Sequence, residues 1–230
     1  MSDLRANFAD PDRVAAYLDR GPPAFAPGHG GMLQMTAVLL AERVPADGQV
    51  LIVGAGGGLE IRYLAGVEPD WRFIGVDPAP AMLDLARATA GGVAGERFKL
   101  IQGTVHDAPT GPFDAATCIL VLGLVPDDGA KLDLLRAVRQ RLKPGAPFIF
   151  VDQCIDRAAS DVALRLDRYA AYARRSGVDE PTLATARAGL AKLESMVPAW
   201  RDEELLDEAG FVAAELFYAG MAWRGWVAYA

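Results

Sequence analysis

Three observations in this 230-residue chain predict an open α/β domain built on a mostly parallel sheet. Seven short apolar runs follow one another, and most of the first five are separated by segments of helical periodicity. Runs such as Val50-Leu51-Ile52-Val53 and Phe148-Ile149-Phe150-Val151 are apolar at every position, which suits strands covered on both faces. Chemistry-bearing residues collect where the runs end. The first breaks into Gly54-Ala55-Gly56-Gly57-Gly58, and the second, Phe73-Ile74-Gly75-Val76, ends in Asp77, 23 positions after Gly54.

The elements follow in order. Helices are predicted over 10–20 and 32–43, with a proline- and glycine-rich loop over 21–31 between them. Ala46-Asp47-Gly48 turns the chain into a strand over 49–54, followed by a helix over 58–66 and a strand over 72–77. Pro80 opens a helix that runs through Ala90; at a helix start the missing N–H and fixed φ of proline cost nothing. Strands near 97–102 and 114–121 precede a helix over 128–142, which Pro144-Gly145 stops. After the strand at 147–152, two helices over 157–176 and 180–195 interrupt the alternation. A short helix, Glu203–Ala209, ends at Gly210. Strands over 211–219 and 222–229, joined by a very short turn at Gly220, read as an antiparallel hairpin at the sheet edge.

The chain reads as one domain, 1–230, with a helical cap over 1–45 and inserted helices over 155–197. Sheets of this kind bind ligands beyond the carboxyl ends of their strands. The cap and the inserted helices are the segments left to cover that opening, as a substrate lid or as the contact face of a homodimer.

Composition narrows the function classes. The chain is 52% hydrophobic, ample for one core, and carries a net charge of −7. That acidity argues against a nucleic-acid partner, because phosphate contacts need a basic face; a local patch at Arg165, Arg168, Arg174 and Arg175 is the one exception. Two cysteines, Cys118 and Cys154, read as buried and reduced, as in a cytosolic protein. Only two histidines are present, His29 and His106, so no metal site is expected. No run approaches the length of a membrane span and Met1-Ser2-Asp3-Leu4-Arg5 opens no apolar signal core, which points to the cytoplasm.

The glycine turn and Asp77 together have the geometry for holding a nucleoside. Gly54 permits the tight turn, Gly56 lets backbone approach a ligand, Gly58 lets the following helix pack closely, and Asp77 is placed to accept from ribose hydroxyls. A dinucleotide spacing, G-x-G-x-x-G, would need glycine at 59, where the chain has Leu59. Glu60, in the first turn of the next helix, would repel a phosphate there. The ligand expected is therefore a nucleoside without phosphates.

At these residues the chain resembles the Rossmann-like, class I S-adenosylmethionine-dependent methyltransferases. The resemblance runs through Val50–Gly58, Gly75-Val76-Asp77-Pro78-Ala79-Pro80-Ala81-Met82-Leu83, Gln102-Gly103-Thr104-Val105-His106-Asp107, Phe113-Asp114-Ala115-Ala116, Leu142-Lys143-Pro144-Gly145 and the strand before Asp152, covering about residues 45–152. It implies a seven-stranded Rossmann-like methyltransferase fold and S-adenosylmethionine as cofactor, with a small-molecule acceptor. It further implies that Gly54, Ala55, Gly56 and Gly58 line the methionine part, Asp77 holds the ribose, Pro78 and Met82 flank the adenine, and Thr104 and Val105 face its edge. Cys118 and the residues after it would sit at the floor near the methyl group. Two positions depart from the family pattern: Ile52 and Thr104 stand where many members carry an acid.

The flanks resemble one subfamily, the carboxy-S-adenosylmethionine synthases. The residues are Asp12-Arg13-Val14-Ala15-Ala16-Tyr17, Pro27-Gly28-His29 and Leu39-Leu40-Ala41-Glu42-Arg43 at one end, and Ala209-Gly210-Phe211 with Glu215-Leu216-Phe217-Tyr218 at the other. Those enzymes convert the cofactor's methyl group to a carboxymethyl group and hold the new carboxylate with a lid arginine, near which Arg187 falls. The expected activity is methyl transfer; a carboxy-S-adenosylmethionine synthase-like reaction and non-catalytic binding of the cofactor are the alternatives. Because a sulfonium methyl is already activated, a base is needed only if the nucleophile is protonated. Candidate catalytic residues are His29 in a loop that could fold over the mouth, Tyr17 from the first helix and Arg187. Asp152 and Gln153, at the end of the fifth strand, could also touch substrate.

Overall fold

The structure, a computed structural model, describes residues 11–230. Residues 1–10, the beginning of the predicted cap and of its first helix, lie outside the described residues. The cap comprises α1 (Pro11–Arg20), the short α2 (Pro22–Phe25) and α3 (His29–Ala41). The alternating part runs β1 (Gln49–Val53), α4 (Leu59–Val67), β2 (Arg72–Asp77), α5 (Pro80–Ala94), β3 (Phe98–Gln102), β4 (Ala115–Ile119), α6 (Ala130–Arg139) and β5 (Pro147–Gln153). Then come α7 (Val162–Arg175), α8 (Glu180–Lys192), α9 (Ala199–Ala209), β6 (Val212–Gly220) and β7 (Trp223–Tyr229).

The seven strands form one sheet in the order β3-β2-β1-β4-β5-β7-β6. β1 to β5 pair in parallel, and β7 runs antiparallel between β5 and β6. Strand order reverses between β1 and β4, so the crevice of this sheet opens beyond their carboxyl ends.

Alternate residues of each strand face two separate cores. Val50, Ile52, Phe73, Ala115, Ile149 and Val151 pack against Met32 and Leu40 of α3, Ile61 and Leu64 of α4, and Leu83 and Ala90 of α5. Leu51, Val53, Ala116, Cys118, Phe148 and Phe150 pack on the other face with Leu135 and Val138 of α6 and Leu205 and Leu206 of α9. Phe150 stacks on Trp226 and Phe148 on Phe211, which ties the hairpin and its approach to this second core.

The differences from the sequence reading lie mainly outside the sheet. The predicted loop over 21–31 is largely helical: α2 occupies Pro22–Phe25 and α3 starts at His29, running through Gly30 and Gly31. Glycine lowers helix propensity by only about 1 kcal/mol, and burial of Met32, Leu33, Ala37 and Leu40 outweighs it. The fourth predicted strand, 114–121, stops at Ile119, where Leu120 takes a left-handed φ of 62°. The helices α7 and α8 do not lie over the mouth of the β1/β4 crevice. They pack on the cap and the hairpin turn, through Ala24, Ala173, Val178 and Leu183, and through Ile155, Leu166, Met196 and Ala222.

Candidate functional site

The glycine turn after β1 closes because Gly54 adopts φ 76°, and the amides of Gly54 and Ala55 both donate to the Val76 carbonyl at 2.9 Å. Its position is fixed sterically as well: a Cβ on Gly54 would lie 2.2 Å from Val121 Cγ2. A Cβ on Gly58 would meet the Ala86 backbone at 2.8 Å, so Gly58 sets how closely α4 and α5 approach.

Asp77 terminates β2 and organises the turn. Its two carboxylate oxygens accept from the amides of Gly56 and Ala79, each at 2.9 Å. Each oxygen keeps lone pairs for further donors. Burial pushes the Asp77 carboxyl up, and the two amides hold it back down.

Between these elements lies a cavity of about 200 Å³. Gly54 and Gly56 form one wall, Asp77, Pro78, Ala79 and Met82 the next, and Gly103, Thr104 and Val105 the far end. Tyr17 of α1 closes it from the cap, and Ile119, Leu120, Val121, Leu124, Val125 and Leu134 give it an apolar floor.

Of the predicted site residues, Gly54, Gly56, Asp77, Pro78, Met82, Thr104, Val105 and Tyr17 come together on this cavity. Five do not. Cys118 is fully buried on the α6 and α9 face, because side chains alternate along β4 and its neighbour Ile119 takes the cavity side. Ala55 is buried in the α3–α5 core and Gly58 packs on Ala86, so both shape the turn from behind. His29 opens α3 instead of sitting in a mobile loop. It is buried away from the cavity, and desolvation lowers its pKa, keeping the ring neutral. Arg187, on α8, is held at the surface by Asp167 at 2.7 Å.

Tyr17 remains as the cap's contribution. Burial, then the charges of Asp77 and Glu60, drive its phenol pKa strongly upward, so it serves as a neutral hydroxyl and not as a base. Thr104 caps the turn 105–107: its hydroxyl accepts from the His106 amide at 3.3 Å, while Asp107 accepts from the Thr104 amide at 2.8 Å. His106 points outward to Asp133 at 3.0 Å.

Asp152 and Gln153 fall behind and beside the cavity. Asp152 belongs to a buried polar cluster with Lys131, Asp202 and Cys154. Lys131 is fully buried and its Nζ donates to the Leu122 carbonyl at 2.7 Å. Asp202 accepts from the Cys154 thiol at 3.3 Å. Burial raises both carboxyls, and the Lys131 ammonium opposes that rise. Gln153 lines a separate small cleft with Phe25, Tyr169, Tyr172 and Trp223, and its buried Nε2 has no hydrogen-bond partner. The predicted basic patch is partly neutralised, since Arg165 is paired with Asp161 and Arg174 with Glu180.

The residues after Cys118 are expected at the floor as a group; which of them face the cavity, Ile119 to Val121 with Leu124 and Val125, is not read from the sequence. A signal was present: the apolar run Ile119-Leu120-Val121-Leu122 extends the strand to its carboxyl end, where sheets of this kind bind ligands. Lys131 offered none, because a lysine on a predicted amphipathic helix reads as solvated.

Among the described residues there is no cluster of metal-ligating side chains and no helix long and apolar enough to cross a membrane. Residues 51–148 match the family model described as a methyltransferase domain. The chain is 29% identical over 221 residues to a carboxy-S-adenosyl-L-methionine synthase of Wolinella succinogenes, covering 94% of this chain and 90% of that one. It is 36% identical over 110 residues to a ubiquinone biosynthesis O-methyltransferase of Xylella fastidiosa, covering 46% of this chain and 42% of the relative. A solved S-adenosylmethionine-dependent methyltransferase from Aquifex aeolicus superposes with a TM-score of 0.63 at 16% identity, over 96% of this chain and 98% of that one, a likeness of fold.

Proposed function

We propose, from the premise that this chain belongs to the class I S-adenosylmethionine-dependent methyltransferases, that it transfers a methyl group to a small-molecule acceptor held over the carboxyl ends of β4 and β5. The observation that carries this reading is the cavity at the β1/β4 crevice, framed by the glycine turn, Asp77 and Tyr17. Its residues fit the cofactor: a Cβ on Gly54 has no room and one on Gly56 would crowd the Tyr17 hydroxyl at 3.1 Å, so backbone is kept bare where a ligand lies along the turn.

When bound, S-adenosylmethionine supplies an activated methyl group on a sulfonium. In our reading Gly54 and Gly56 line its methionine part, Asp77 accepts from the ribose hydroxyls, Pro78 and Met82 flank the adenine, and Thr104 and Val105 meet the adenine edge. Ile119, Leu120 and Val121 take the floor position expected of Cys118 and exclude water from the reacting centre. The cleft at Gln153 lies one strand across from Ile119, whose ladder partner is Val151, so it is about 8 Å away by strand spacing and rise. That is within the length of a single-ring acceptor. The free, buried cysteines support a cytoplasmic protein. Exposed Met35 and Val38 on α3 support pairing of two copies, which light scattering tests.

The full-length likeness to a carboxy-S-adenosyl-L-methionine synthase favours one second reading, a synthase of that kind. One experiment addresses both: denature the purified protein and weigh the released small molecules. S-adenosylmethionine or its demethylated product supports methyl transfer and starts an acceptor screen. The carboxylated cofactor would move the assignment to the synthase and make Arg187 the first residue to replace. No adenosyl ligand, and no binding of one added back, would overturn both.

A further inference from the structure

Among the described residues, Glu60 has no ion-pair partner, and its Oε1 is left without a hydrogen bond. It sits in the first turn of α4, directly after the glycine turn, yet it faces inward and is only 9% exposed. The hydroxyl of Thr117 beside it likewise has no partner in ordinary hydrogen-bond geometry, although it lies close enough to favour the ionised form of Glu60. Thr117 is the ladder partner of Ile52, two residues before Gly54, so the Glu60 carboxylate lies on the sheet just beneath the turn that lines the cavity.

Among the described residues, the groups around it supply no positive charge. Tyr17 reaches in from α1 and feels the charges of both Asp77 and Glu60. Thr117 and Cys118 lie on β4, and Asp77 stands beyond Tyr17 at the end of β2. Those neighbours are neutral or acidic, and among the described residues no ion pair reaches Glu60. A buried carboxylate without a counter-charge is strongly unfavourable and persists where something external completes it. S-adenosylmethionine carries two positive centres, a sulfonium and an ammonium, on the part that would lie along Gly54 and Gly56.

We propose that Glu60 is the built-in counter-charge for the cationic methionine end of the cofactor, placed behind the glycine turn and compensated only when the cofactor is bound. This rests on the methyltransferase reading and extends it to a residue outside the cavity wall. In the free protein burial lifts the Glu60 carboxyl to about 7, with Thr117 opposing weakly. A nearby cation lowers it again, so binding releases a proton below neutrality and affinity for S-adenosylmethionine rises with pH until about 7, then levels.

Calorimetric titration of the wild-type protein and Glu60→Gln at pH 6 and pH 8 tests this with two ligands. S-adenosylmethionine carries the cationic end; 5′-methylthioadenosine keeps the adenine and ribose and lacks it. Glu60→Gln should weaken S-adenosylmethionine by about tenfold at pH 8, a 1.4 kcal/mol change. It should flatten the pH dependence, leave methylthioadenosine within about twofold, and leave the free protein at least as resistant to heat as wild type. Equal loss for both ligands, or unchanged affinity for S-adenosylmethionine, would overturn the assignment. Should the variant not fold, proton release by the wild type decides, measured at pH 6 in two buffers of different ionisation enthalpy; no release on binding S-adenosylmethionine overturns it. Wild-type protein that binds neither ligand overturns the cofactor reading, and this inference with it.

Discussion

Two carboxylate-bearing regions flank the central strands, and they solve burial in opposite ways. At the amino half of the sheet, Asp77 is tied by backbone amides and Glu60 is left uncompensated beneath the glycine turn. At the carboxyl half, Asp152 and Asp202 share the buried Lys131, sealed under α6 and α9. The first region keeps capacity open toward a cavity. The second closes on itself and fixes the loop that carries the cavity floor, since Lys131 holds the Leu122 carbonyl. Under the reading proposed above, polar burial serves ligand recognition on one side and rigidity on the other.

Breaking the closed side should have the largest effect. Lys131→Met removes the one cation between two buried carboxylates and should cost about 3–5 kcal/mol of stability, read by urea unfolding. A loss below 1 kcal/mol would show that Asp152 and Asp202 are already neutral.

The pH dependence of the ligand-free protein sharpens the contrast next. A carboxyl whose folded pKa is raised, as at Glu60 from 4.5 to about 7, holds its proton longer in the folded chain than in the unfolded one. Stability therefore falls as pH rises from about 4.5 to 7 and then levels, by roughly 3 kcal/mol from this group. Asp152 and Asp202 act in the same direction. Unfolding midpoints from pH 5 to 8 should decline in wild type and decline less in Glu60→Gln; parallel profiles would remove Glu60 from the account.

Asp77→Ala strips a charged acceptor from the proposed ribose position and frees the Gly56 and Ala79 amides. It should weaken S-adenosylmethionine binding by about 1–3 kcal/mol. Unchanged affinity by calorimetry would show that the ribose lies elsewhere. The smallest effect is expected at Arg187, whose exposed pair with Asp167 contributes under about 1 kcal/mol. Arg187→Ala should leave stability and S-adenosylmethionine binding unchanged. A loss of bound carboxylated cofactor in that variant would instead place this arginine in the site.

The amino acids from 49 to 153 carry their own layout. Continuous apolar runs, a glycine turn and Asp77 placed the strands, their parallel pairing and most of the cavity wall, because buried parallel strands and tight turns are specified by residues close in sequence. The helix start at Pro80 and the helix stop at Gly210 were legible for the same reason, whereas the helix expected to run to 142 ends at Arg139. Where the chain's meaning depends on distant partners, the sequence is silent. Nothing local distinguishes Cys118, turned into the core, from Ile119, turned to the cavity; the strand's half-turn decides, and register sets it. His29 reads as a loop residue until α3 packs on the sheet. Lys131 and Glu60 read as helix-surface charges until the fold encloses them. Local pattern determined the scaffold of the nucleoside site. Tertiary packing decided which of its charges are paired and which are left without a partner among the described residues, and that α7 lines a neighbouring cleft and not the crevice itself.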